Sequence, residues 1–215
     1  TRPTPQSNTI LLELSPDGTL RGQSILSGDT DRGVNCLDAL IIEDGGYIVV
    51  GTVQRPERTS NSWISAFDPD GSILWQKAIT APEALVNSDA SSAINISVTR
   101  AGMLVMTGQK NWSPTGYSMW VVALDGDGAI RWQKEIGPGV SQSLRASCEM
   151  HNGDIVVGGG FGVISSPVPS ENYDVTVIRL TSEGELLWAR AFDYTNMDDV
   201  YGIIETEDGG FIIAG

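Results

Sequence analysis

Leu124-Asp125-Gly126-Asp127-Gly128-Ala129-Ile130-Arg131-Trp132-Gln133-Lys134 is the stretch whose reading decides the fold. It reads as the end of one strand, a tight turn and the start of a second strand. Asp-Gly between alternating apolar runs is a strong hairpin signal, because glycine accepts the positive φ that such a turn needs. The unit recurs. Gly18, Gly71, Gly128 and Gly184 are 53, 57 and 56 residues apart, and each follows an acid: Asp17, Asp70, Asp127 or Glu183. Four residues before each glycine stands Leu14, Phe67, Leu124 or Leu180; four after it stand Trp75, Trp132 and Trp188, but Gly22 in the first copy. The flanks alternate with period two, so Trp120, Val122 and Leu124 share one strand face, as do Trp63, Ser65 and Phe67.

A second hairpin interleaves with the first. Its copies are Glu43–Gly51, Ala101–Gly108, Asn152–Gly158 and Glu207–Gly215, and their closing glycines are 57, 50 and 57 residues apart. With the glycine-rich hairpin named A–B and the Asp-Gly-x-x-x-Trp hairpin C–D, the chain reads C-D, three A-B-C-D sets, then A-B. No stretch shows capped helical periodicity. A four-stranded antiparallel unit at this period is what a β-propeller blade requires, because one blade buries its two faces only between neighbours. The expected fold is therefore all-β, a propeller of four blade-equivalents. Residues 1–215 form one propeller domain or half of a larger ring, with 1–7 as an N-terminal extension. Val200–Gly215 and Thr9–Ile25 are complementary halves of a blade. Their pairing would give a four-bladed ring within one chain or an eight-bladed ring shared by two; an arc of a longer propeller is the third arrangement.

Phe67-Asp68-x-Asp70-Gly71-x-x-x-Trp75 and its copy at 124–132 resemble the tryptophan-docking repeat of pyrroloquinoline-quinone-type propellers. The Asp-Gly-Gly-Tyr/Phe-Ile units resemble repeats of bacterial secreted and lipoprotein propellers. The resemblance implies that Trp75, Trp132 and Trp188 pack between adjacent blades, with one such contact missing at Gly22. A quinone enzyme of this type would be expected to carry adjacent cysteines and a calcium-ligand set. Cys36 and Cys148 are not adjacent, so the resemblance implies the fold and no cofactor.

Composition narrows the functional classes. The formal charge is −14, from 27 acidic and 13 basic residues. That argues against nucleic acid, whose binding is dominated by Lys and Arg. No apolar run reaches the roughly 18–20 residues of a membrane helix. The chain starts at Thr1 rather than Met and shows no signal peptide, so it is expected to be processed or excised; the resemblance to secreted propellers implies an extracellular, periplasmic or cell-surface location. Two cysteines so far apart make neither a disulfide framework nor a metal motif, and they are expected to be unlinked.

The A–B and C–D turns are short, whereas the B–C connections, about 53–61, 109–117 and 160–173, and the D–A connections are long and irregular. Function concentrates on variable loops held by a rigid scaffold. The expected ligand-binding residues on that long-loop face are Trp112, Tyr117, Asn111, Tyr173, Tyr194 and Arg145. Asp31, Asp89, Asp198 and Asp199 begin inner strands and could ring a channel as oxygen ligands for Ca²⁺. His151, the only histidine, falls in a short turn with no nucleophile beside it. The sequence thus points to a non-enzymatic binding or assembly module that recognises a protein or glycan and can form a homodimer completing a shared ring. The competing class is a lyase or hydrolase with Arg145 and Tyr201 at the channel mouth.

Overall fold

In the computed structural model the described residues are 9–26, 34–54, 60–79, 91–113, 116–140, 142–162, 173–193 and 198–215. They form sixteen strands: β1 Thr9–Leu14, β2 Leu20–Leu26, β3 Val34–Ile41, β4 Tyr47–Gln54, β5 Ser60–Phe67, β6 Ile73–Ile79, β7 Ser91–Val98, β8 Leu104–Ser113, β9 Gly116–Leu124, β10 Ile130–Val140, β11 Gln142–Glu149, β12 Ile155–Gly162, β13 Tyr173–Leu180, β14 Leu186–Phe192, β15 Gly202–Glu205 and β16 Phe211–Ala214. Three sheets are complete antiparallel blades: β3–β6, β7–β10 and β11–β14. They are flanked by two half-blades, β1–β2 and β15–β16. The chain is thus all-β and built of propeller blades in the order the repeat predicts.

Both hairpin types use the same turn. At Gly128 the glycine N–H donates to Asp125 O at 2.8 Å, and Asp125 N–H donates to Ala129 O at 2.8 Å. The same pair of bonds recurs at Gly18, Gly45, Gly71, Gly102, Gly153, Gly184 and Gly209, with φ between 77° and 88° at those seven glycines. A positive φ is the reason glycine holds the position.

Period-two alternation becomes two buried faces in the third blade. Trp120, Val122 and Leu124 of β9 pack with Ile48, Val50, Ile64 and Ala66 of the second blade. The intervening Met119, Val121 and Ala123 pack with Ile155, Val157, Ile178 and Leu180 of the fourth. Burying each such large side chain stabilises the fold by roughly 1.5–3 kcal/mol before entropy is counted.

Of the three arrangements open to the half-blades, pairing within one chain is not the one seen, since β1–β2 and β15–β16 are separate sheets. One expectation is corrected. The stretch 109–117, read as a B–C loop, is largely strand, because β8 continues to Ser113 and β9 starts at Gly116. Polar links hold that extension: Lys110 Nζ lies 3.0 Å from Glu135 Oε2, and Ser118 Oγ donates to Glu135 Oε1 at 2.6 Å.

Candidate functional site

The innermost strand of each complete blade carries an irregularity the repeat did not announce. Pairing skips Leu37 in β3, Ile94 in β7 and Arg145 in β11. Such a bulge bends the strand and re-aims one side chain. Opposite each bulge stands Gly51, Gly108 or Gly159, and Gly215 holds the same place beside Val200. A Cβ on any of these glycines would lie 1.8–1.9 Å from the carbonyl oxygen of Asn35, Ser92, Ser143 or Asp199. The repeat alignment therefore shifts by one: Gly159, not Gly158, is the equivalent glycine. The bulge position divides the blades by chemistry. It is aliphatic in the first two complete blades, as Leu37 and Ile94. In the third complete blade it is Arg145, and just before β15 it is Tyr201.

Arg145 and Tyr201 are brought together. The guanidinium carbon lies 5.6 Å from the Tyr201 ring centroid, and Nε lies 2.6 Å from Asp199 Oδ2. Asp199 Oδ1 also accepts the Val200 N–H at 2.9 Å. Tyr201 is 67% exposed. This cluster joins the last complete blade to the last half-blade.

Polar side chains stitch the inner strands to one another. Asp38 Oδ2 accepts from Asn95 Nδ2 at 2.8 Å and from Ile96 N at 2.9 Å. Ser147 Oγ donates to Asn95 Oδ1 at 2.9 Å and meets Ser97 Oγ at 2.7 Å. At the short-turn end, Glu149 accepts from Arg100 N and Nε at 2.8 and 2.9 Å. One blade further on, Glu205 accepts from His151 N and contacts Nδ1 of the same residue. A cavity of about 910 Å³ opens there, with Arg100, Glu149, His151 and Glu205 in its wall. His151 is thus an exposed turn residue, as expected, but one that ties two blades together.

The other sequence candidates are distributed as follows. Tyr117 is 39% exposed at the start of β9, beside the B–C connection. Asn111 and Trp112 lie in β8 and Tyr173 begins β13, so their backbones belong to blade sheets. Tyr194, Asp31 and Asp89 lie outside the described residues. Asp198 and Asp199 precede β15, and Asp199 is engaged by Arg145. Among the described residues no three His, Cys, Asp or Glu side chains converge as a metal cluster. Sequence reasoning missed the stitched inner strands and the Glu149 and Glu205 straps. Their only sequence signal is an acid at the last position of the inner strand, where the earlier blades have Ile41 and Val98.

Trp75 and Trp132 dock between blades. Trp75 Nε1 donates to Gly126 O at 3.2 Å, and Trp132 Nε1 donates to Ser182 O at 2.8 Å. Each indole lies so close over the next turn glycine that a Cβ on Gly128 or Gly184 would come within 2.7 Å of the ring. Lys77 and Lys134 reach across beside them to Asp127 O and Gly184 O, at 2.9 and 2.8 Å. The indoles are half-buried and keep part of their surface in water. Trp188 stacks instead on Phe211, with centroids 6.0 Å apart.

Both cysteines are free and half-buried. Burial, then the nearby Glu205 charge, pushes the Cys148 thiol up to about 11. Burial, then Asp38, also raises Cys36.

No protein-family model and no curated protein matches the chain. Among solved structures the chain is similar to a crystal structure of glucose dehydrogenase at 13% identity and a TM-score of 0.49, over 98% of this chain and 88% of that one.

Proposed function

We propose that the chain is a binding and assembly module without chemistry of its own, and that its half-blades complete one another between two copies. The observation that carries this reading is a docking position with its two halves apart. Gly18 has nothing within 4 Å of a Cβ position, although its counterparts Gly128 and Gly184 are covered by an indole. Among the described residues Trp188 covers no turn glycine, and it borders an open space of about 260 Å³ beside Val177 and Phe211.

The rest of the register agrees. In complete blades Tyr47 pairs with Phe67 and Gly51 with Trp63. The same offset sets Phe211 opposite Leu14, Ile213 opposite Leu12 and Gly215 opposite Ile10. Ile10, Leu12 and Leu14, now 56–60% exposed, then lie on the face of Phe211 and Ile213, which packs on the fourth blade. Ile204 and Ile212, 62% and 56% exposed, turn to the opposite face, toward the second blade of the other copy. One strand pairing thus removes two apolar faces and two open edges, which proteins rarely leave exposed.

The test is mass in solution, by sedimentation equilibrium of the 215-residue chain. The expected species is twice 22.9 kDa. A monomer at every concentration up to roughly 100 μM, the weak end of transient association, overturns the reading. Recognition of a protein or glycan is proposed for the side bearing the B–C and D–A connections. Tyr117 and the Arg145–Tyr201 pair support it there, since aromatic and Arg side chains dominate recognition surfaces. The competing reading, a lyase or hydrolase, draws on the same Arg145–Tyr201 proximity.

A further inference from the structure

One polar pair on the inner strands is not used by the packing of the blades. The residues skipped at the bulges are Leu37, Ile94 and Arg145, and Tyr201 holds the same place before β15. A bulge turns such a side chain out of the two packed faces of its sheet. The exposures agree. Leu144 and Ala146 on either side of Arg145 are buried, as is Val200 beside Tyr201, whereas Leu37 and Tyr201 are among the exposed large side chains. The Arg145 side chain is 37% exposed. Of the four bulge positions, only Arg145 and Tyr201 carry polar groups, and they are neighbours.

Arg145 is held at its base and unpaired at its tip. Nε is buried against Asp199 Oδ2, and Asp199 is itself fixed by the Val200 N–H and by close packing on Gly160. The two terminal nitrogens donate to nothing among the described residues. Arg100 and Arg179 differ, since their terminal nitrogens reach Met150 O and Asp154 Oδ2. A planar fork of unpaired N–H donors matches the two oxygens of a carboxylate. The Tyr201 ring beside it offers an apolar face to whatever bears that carboxylate. Because Tyr201 is so exposed, the far side of a ligand on it stays in water, which favours a hydroxylated ring over an apolar one. Charge limits the ligand further. Asp199 stands beside the single guanidinium, and the chain carries −14 overall, which repels a polyanion.

We infer that Arg145 and Tyr201 form a binding site for a monovalent carboxylate borne on a sugar ring, a uronate. The carboxylate takes the terminal nitrogens of Arg145, the C–H face of the pyranose lies on Tyr201, and Asp199 positions the guanidinium from the Nε side. This assignment rests on the reading of that side as a recognition surface and names its glycan class. Both residues belong to one chain, so the site stands whether or not two copies associate.

The probe is methyl β-glucuronide, titrated into the 215-residue chain with amide chemical shifts as the readout. Saturable shifts are expected with Kd of roughly 1–10 mM, as for one charged pair and one ring contact open to water. The amides of Arg145, Ala146 and Tyr201 should move most. Methyl β-glucoside keeps the ring and lacks the charge; acetate keeps the charge and lacks the ring. Each should bind about tenfold more weakly. Arg145→Lys keeps the charge without the fork and should weaken the glucuronide several-fold, and Arg145→Gln should bring it to the level of the glucoside. If the Gln variant fails to fold, the shift map and the two control ligands on the unaltered chain still decide. Absence of saturation, shifts confined to other residues, or equal affinity for glucuronide and glucoside would each overturn the assignment. So would equal affinity for glucuronide and acetate, which would make Arg145 a plain anion site. Binding of a peptide through its terminal carboxylate without binding of the glucuronide would overturn it too, and make the pair a seat for a protein partner. The reading as a module without chemistry fails by a different signal: methanol released from the bound glucuronide in the same tube would leave the site standing and show hydrolysis there.

Discussion

The third blade and the two half-blades are built from the same repeat and end in opposite states. In the third blade, Trp120 is 1% exposed and Met119 is 2% exposed, although they are neighbours on opposite faces of β9. In the first half-blade, Leu12 is 58% exposed at a position the repeat equates with Ser65 and Val122, both buried. The alternation is the same; what differs is the number of neighbours. A blade side chain is buried by the next blade rather than by its own sheet, so repeat stability resides in interfaces.

The largest effect should come from the blade with two neighbours. Trp120→Ala removes a fully enclosed side chain whose Nε1 also donates to Gln133 Oε1 at 3.2 Å. A loss of roughly 3–5 kcal/mol is expected, by analogy with other buried aromatic truncations. Urea denaturation measures it. A loss below about 1 kcal/mol, the typical cost of any substitution, would break the contrast with the half-blades. Next comes the bulge. Gly159→Ala sets a Cβ 1.8 Å from the Ser143 carbonyl, and backbone on both sides must shift. About 3 kcal/mol is expected, the upper part of the overpacking range. Gly153→Ala is the control: it meets nothing within 4 Å and bears only the cost of a φ of 88°, about 1–2 kcal/mol. Equal losses in the two variants would remove the bulge from the account.

Trp132→Ala should fall between these, at roughly 2–3 kcal/mol, because the docked indole keeps part of its surface in water and loses less on truncation than an enclosed one. The same reasoning explains what the sequence could show. The turn glycines, the blade phase and the docking tryptophans are local patterns, repeated often enough to check one another. The bulges at Leu37, Ile94 and Arg145 are not local: each is defined by a glycine on the neighbouring strand, 14 residues further along the chain. Leu37 and Ile94 also look like ordinary members of an alternating strand, so nothing in their residue type marks the skipped position. The Arg100–Glu149 and His151–Glu205 straps are separated by 49 and 54 residues, and only packed blades bring them together. The long-loop residues chosen for exposure were partly strand, since 109–117 contains the ends of β8 and β9.

A pH experiment tests the edge of the last interface. Cys148 lies where the fourth blade meets the last half-blade, and its thiol is raised from 9.0 to about 11 by burial and then by Glu205. The folded state therefore holds the proton that the unfolded chain releases. That contribution is complete below the ordinary thiol value and is lost as pH rises through about 11. Stability of the unaltered chain should decline across that window, and Cys148→Ser should decline less. Thiol modification at about pH 8 should be slow in the folded protein and fast in urea, because the thiolate is the reactive form. Equal rates would place Cys148 in water.

The smallest effect is expected at the half-blade surface, and it sharpens the comparison most. Ile204→Ser changes a side chain that is 62% exposed on the outer face of β15. Its partner across the sheet is Ile212, also exposed, so the substitution leaves no cavity and strands no buried polar group. In a dilute monomer the stability should change by less than about 0.5 kcal/mol, as for ordinary surface sites. If the half-blades pair between two copies as proposed, the same substitution sets a hydroxyl against Trp63 and Phe67 of the other copy, and at high concentration the midpoint should become lower than that of the unaltered chain. A concentration-independent effect of about 1 kcal/mol or more, the size typical of a covered site, would show that this face is already covered within one chain. The third blade and the last half-blade would then differ in sequence, not in neighbours.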